Sequence, residues 1–210
     1  MRGLSDAMAK ALKQKCEDQG FKKDKNGIWY RFDDIFDSFY HTLFFNPATY
    51  QIGRSITAYV GIGNSWIDKL FLKLSNQNQT THYVLLRINI GDLNPSYGKY
   101  KDWFYTDFQQ IPEICDTIFK EIRKYAYPFF EEYQNFEKII EVFEKKTKGF
   151  GIDINTRFYT QPLLYSAIGE HDKGIELISL IKDLGYIKLE SQETYYRNYI
   201  KYAMEQKEGK

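Results

Sequence analysis

Two stretches of strict alternation constrain this chain most. Between residues 56 and 62, Ile56, Ala58, Val60 and Ile62 share one parity, and Thr57, Tyr59 and Gly61 share the other. Between 83 and 90, Val84, Leu86, Ile88 and Ile90 alternate with Tyr83, Leu85, Arg87 and Asn89. Successive side chains of an extended chain point to opposite faces, so each stretch predicts a half-buried strand of an antiparallel sheet. A slip of one residue would expose every apolar side chain, which fixes the register. Ile28, Tyr30 and Phe32, alternating with Trp29 and Arg31, predict an earlier strand. The stretch 35–45 predicts another, mixed on both faces and broken by Asn46-Pro47-Ala48.

Helical periodicity surrounds this block. Leu4, Met8, Leu12 and Cys16 form a stripe that predicts a helix over 4–18, with Gly20 closing it. The charged segment 22–27 reads as a turn, and 64–74 as a short helix or irregular crossover. The polar loop 75–81 holds Asn78-Gln-Thr80, a glycosylation pattern without meaning unless a secretory signal accompanies it. Beyond a Tyr/Gly/Lys loop after Pro95, one apolar stripe runs from Ile111 to Ile122 and another from Phe129 to Phe143, with Pro128 as the separator. A helical hairpin follows over 163–185, then a tyrosine-rich helix over 191–206.

Strands in one block and helices in another predict an α+β fold: an N-terminal helix, an antiparallel meander of about four strands and a helical C-terminal half. The candidate boundary at 147–156 divides the chain into an α+β domain over 1–146 and a helical extension packed on it over 147–210, or a single domain spans 1–210. At 210 residues the chain can bury a sizeable core without a disulfide or metal staple.

Charge narrows the function. Twenty-nine Lys and Arg against 28 Asp and Glu leave +1, which argues against a nucleic-acid or anionic-membrane binder. No apolar run reaches the roughly 18 residues that span a bilayer. The first ten residues lack the apolar core of a signal peptide, so the chain reads as cytoplasmic. Cys16 and Cys115 lie on apolar helix stripes and read as buried, inert thiols. With His41, His82 and His171 also isolated, the sequence predicts no metal site and no cofactor. Gly61-Ile-Gly63 lacks the third glycine and the setting of a phosphate loop and reads as a strand-end turn. Glu170-His171-Asp172 reads as solvated turn charges, because consecutive residues in a turn do not converge on one point.

Leu12, Gly20-Phe-Lys-Lys23 and Ile28-Trp-Tyr-Arg31 resemble the opening of a bacterial family, the domain of unknown function 4304. Ala58-Tyr-Val-Gly-Ile62, Tyr83-Val-Leu-Leu-Arg87 and Gly91-Asp-Leu-Asn-Pro95 resemble its later strands. The resemblance covers roughly residues 4–130, and the chain departs from the family in the insertion at 64–81. It implies a bacterial cytoplasmic α+β protein and brings no activity, cofactor or catalytic residue with it.

Aromatic residues make up 18% of the chain, enough to supply both a core and a recognition surface. If Ile28, Ile56, Val60, Val84, Leu86 and Ile88 face the helices, the opposite face carries Trp29, Arg31, Tyr59 and Arg87 together. Aromatic rings with guanidinium groups can stack on and hydrogen-bond a ligand, so these four are the candidate binding residues. The first reading is a non-catalytic binding or interaction module for a protein or a small anionic ligand. The alternative is an enzyme with scattered site residues on the same face, in which a pocket would join His41 or His82 to Arg31 or Arg87.

Overall fold

In the computed structural model, which describes residues 2–32, 38–76 and 82–209, the alternating stretches form the centre of a meander. The strands are β1 (Lys22–Lys23), β2 (Trp29–Phe32), β3 (Phe39–Thr49), β4 (Arg54–Asn64) and β5 (Val84–Asn89), each antiparallel to the next. A sixth, β6 (Trp103–Tyr105), pairs with Arg54–Ile56, the start of β4. The α+β expectation therefore holds, with two short strands added to the four that alternation reveals. Neither β1 nor β6 is long enough to display a period. Residues 35–37 of the expected strand, and most of the polar loop at 75–81 with its Asn78 pattern, lie outside the described residues.

Helix α1 (Arg2–Asp18) precedes the sheet, and α2 (Ser65–Ser75) follows β4 directly. The Asn64 side chain stops the strand and starts α2, accepting the Trp66 and Ile67 N–H groups that open the helix. After β5 comes the single turn α3 (Ile90–Leu93). After β6, α4 (Gln110–Glu121) passes through a π-helical turn (Ile122–Ala126) into α5 (Tyr127–Tyr133). Pro128 thus lies at the beginning of α5, directly after the π-helical turn, and does not end the helical run. The real break comes at Asn135, whose side chain caps α6 (Phe136–Lys145). The C-terminal helices are α7 (Ile154–Ala167), α8 (His171–Asp183) and α9 (Glu190–Glu208).

Pro47 does not break its strand either. β2 pairs with β3 only as far as Leu43, so beyond that point β3 is an edge strand, where a residue without an N–H is tolerated.

One face of the sheet carries Trp29, Leu43, Val60 and Ile88, cross-strand neighbours that are all buried. Against it lie α1 and the α4–α6 run: Phe45 meets Phe119, His41 stacks on Phe130, and Phe39 meets Phe136. Helices α7–α9 pack elsewhere, on α2 and Tyr83 at one end of the sheet. Tyr195 packs beside Phe71, Phe158 and Tyr159, while the Tyr199 hydroxyl donates to the Pro162 carbonyl. Buried apolar side chains from Met8 to Ala203 form one contiguous core. Among the described residues no helix is long and apolar enough to cross a membrane.

Candidate functional site

The ladder divides the four predicted residues between two faces. Trp29 lies opposite Leu43 and Arg31 opposite His41, so both point toward the helices. Trp29 is 5% exposed beneath α1, with the Lys23 ammonium 5.5 Å from its ring. The half-buried Arg31 guanidinium donates to the Gln19 carbonyl (2.9 Å) and the Tyr127 hydroxyl (3.0 Å) and lies over the rings of Phe21 and Tyr127. It ties the end of α1 to the start of α5, so its donors serve the fold. His41 beside it is buried, stacked 4.0 Å from Phe130, with Gln134 2.7 Å from Nε2. Trp29 and Arg31 are therefore corrections to the expected outward patch.

Tyr59 and Arg87 lie together on the other face. Tyr59 pairs with Phe44, and Gly61, two residues on, pairs with both Thr42 and Arg87. The exposed Arg87 guanidinium lies 5.4 Å from the Tyr59 ring centre and 5.8 Å from that of Phe44. No carboxylate among the described residues pairs with it. The aromatic surface extends through Tyr100, whose hydroxyl is 2.7 Å from Thr57 Oγ1, and through Tyr30 and the exposed Phe32. A hollow of about 130 Å³ opens beside Arg87, lined by Asn26, Ile28, Thr42, Phe44, Tyr59 and Val84. Ile28, expected under the helices, belongs to this face with Tyr30, as the parity of β2 requires. Asn89 shares the parity but is buried, holding the backbone at Gly91 and Lys101.

At the α2 end of this face two acids meet two aromatic groups. Tyr40 is fully buried, and its hydroxyl lies 2.8 and 2.9 Å from the Asp68 oxygens. The Tyr83 N–H donates to the same carboxyl. Burial outweighs both donors and pushes the Asp68 carboxyl up to about 7. His82 stacks 3.6 Å from Tyr30 with Nδ1 3.7 Å from Asp24 Oδ2, and burial holds its imidazole below its ordinary value. Asp24 is committed to the backbone, accepting the N–H groups of Asn26 and Ile28. These groups staple the loop after β1 and the start of β5 to the sheet.

Cys16 and Cys115 are buried and free, and burial raises both thiols above their ordinary value, Cys115 to about 11. That disfavours the thiolate a nucleophile needs.

Protein-family models, curated proteins and solved structures were all compared with the chain, and nothing in any of the three matches it.

Proposed function

We propose that the protein is a non-catalytic binding module whose open sheet face takes an acidic group presented by a protein partner. The observation that carries this reading is Arg87. Its cation is held over two rings, exposed, and without an acid among the described residues. Arginine on an aromatic bed is pre-oriented, so a carboxylate can be received by the guanidinium fork at small entropic cost. The hollow beside it accepts one side chain of a partner, and Tyr59, Tyr100 and Phe44 supply the amphipathic contact area usual in recognition surfaces. A net charge of +1 suits a single acidic group better than a phosphate backbone. The same reading places the protein in a bacterial cytoplasm, in keeping with its buried free thiols and its resemblance to the domain of unknown function 4304 family.

Selection of random displayed peptides on the immobilised protein tests this. The wild type is expected to recover peptides enriched in Asp and Glu, and Arg87→Ala to lose the enrichment. Recovery of the same peptides by both proteins, or no acidic enrichment, overturns the reading.

A further inference from the structure

A second site lies on the opposite side of the sheet and is independent of the Arg87 face. A cavity of about 310 Å³ separates α1 from the strands. Its walls are mixed: Met8 and Leu12 from α1 and Trp29, Phe45 and Ile56 from the sheet supply the apolar part, and Ser5, Asp6 and Lys23 the polar part. A volume near the lower end of the range for small-molecule pockets, with apolar side chains beside polar ones that can orient a head group, suits an amphipathic ligand.

Two polar features of this region lack what burial normally demands. Tyr105 lines the cavity and is fully buried, yet its hydroxyl has no hydrogen-bond partner among the described residues. Arg54, its cross-strand partner, is 8% exposed. The Arg54 guanidinium donates to Ser5 Oγ (3.3 Å) and the Gly53 carbonyl (3.1 Å), and no carboxylate among the described residues pairs with it. Ser5 itself lines the cavity. At the mouth stand Lys23, whose ammonium faces Trp29, and Asp6, the one acid among the described lining residues. Two cations against one exposed carboxylate leave the region positive. Buried charges are ordinarily paired and buried hydroxyls ordinarily bonded. Here a buried cation without an acid among the described residues, bonded to Ser5 of the lining, lies across the strands from a buried Tyr105 hydroxyl without an acceptor.

We propose that this cavity binds a small amphipathic carboxylate. Its apolar body packs between α1 and the Trp29 ring, and its head lies at the Arg54 end, accepting from the guanidinium and from the Tyr105 hydroxyl. A purely apolar occupant would leave both groups as unsatisfied as they are without it.

Titration of the full chain with octanoate, with 1-octanol as the uncharged control, tests the proposal by calorimetry and by the Trp29 indole N–H resonance, assigned with Trp29→Phe. Octanoate is expected to bind one to one and shift that resonance, and octanol to bind about tenfold or more weakly. Arg54→Gln is expected to weaken octanoate by a similar factor. Because Arg54 is buried, its loss can disturb folding, and Tyr105→Phe separates the two effects. That change removes a hydroxyl to which no described residue bonds, so the melting temperature is expected to hold while octanoate affinity falls several-fold. Absence of saturable octanoate binding, equal binding of octanol, or undiminished affinity in a folded Tyr105→Phe variant each overturns it.

Discussion

Tyr40 and Asp68 are joined by hydrogen-bond distances of 2.8 and 2.9 Å from one hydroxyl to both carboxyl oxygens, at the junction of the sheet with α2. The carboxyl, pushed up to about 7 by burial, links folding to pH. Between its ordinary value of 3.8 and about 7, the folded chain holds more protons at Asp68 than the unfolded chain does. Stability from this group is therefore greatest at low pH and falls as pH rises through that window. His82 acts in the opposite sense. Its lowered value means that the unfolded chain takes up the proton first, so its contribution is complete above 6.5 and is lost below. Asp68→Asn removes only the first dependence. Urea denaturation at pH 4 and pH 7 is expected to show the variant gaining stability relative to the wild type as pH rises. A constant difference between the two proteins would contradict the assignment.

The two arginines of the expected patch are predicted to behave differently. Arg31→Ala removes two hydrogen bonds and two ring contacts that join α1, β2 and α5. It is expected to cost roughly 1–3 kcal/mol. Arg87→Ala loses exposed ring contacts alone, for a cost of no more than about 1 kcal/mol. Denaturant midpoints of the two variants decide this, and equal losses would mean that Arg87 also serves the fold.

Packing of α8 on α9 depends on the absence of one side chain. A Cβ at Gly174 would collide with the Tyr199 hydroxyl, which is fixed by Pro162 O (2.9 Å) and lies 3.0 Å from Ser166 Oγ. Gly174→Ala is expected to destabilise the protein by roughly 1–3 kcal/mol, as overpacking of a filled core does. In the double variant with Tyr199→Phe the colliding oxygen is gone, so the combined loss should be smaller than the sum of the single losses. Strict additivity in that cycle would show that the two residues do not meet.

The strands at 54–64 and 84–89 were legible because one face of each is apolar almost throughout, which gives the period a sidedness. β2 offers no such sign. Ile28, Trp29, Tyr30 and Phe32 are large and apolar on both parities, so alternation marks a strand without telling which side is inward. The pairing of Trp29 with Leu43 settles it and reverses the expected orientation. A register shift between Ile62 and Gly63 does similar work in β5: Leu85 and Leu86, neighbours in sequence, are both buried. Tyr59 and Arg87 lie on strands whose orientation was legible, and they alone of the four candidates share the open face. The cavity under α1 had no sequence signature, because its parts come from α1 and five strands. Arg54 without a carboxylate and the Tyr105 hydroxyl without an acceptor among the described residues mark it, and pairing is a property of the folded chain.

The Arg87 face carries the functional account, and a nuclear magnetic resonance titration with a tetraglutamate peptide tests it most directly. The account predicts saturable shifts at Thr42, Phe44, Tyr59 and Arg87, weakened by salt and abolished by Arg87→Gln, with the Trp29 indole unmoved. Shifts spread over the surface lysines, or a pattern that survives Arg87→Gln, would contradict it.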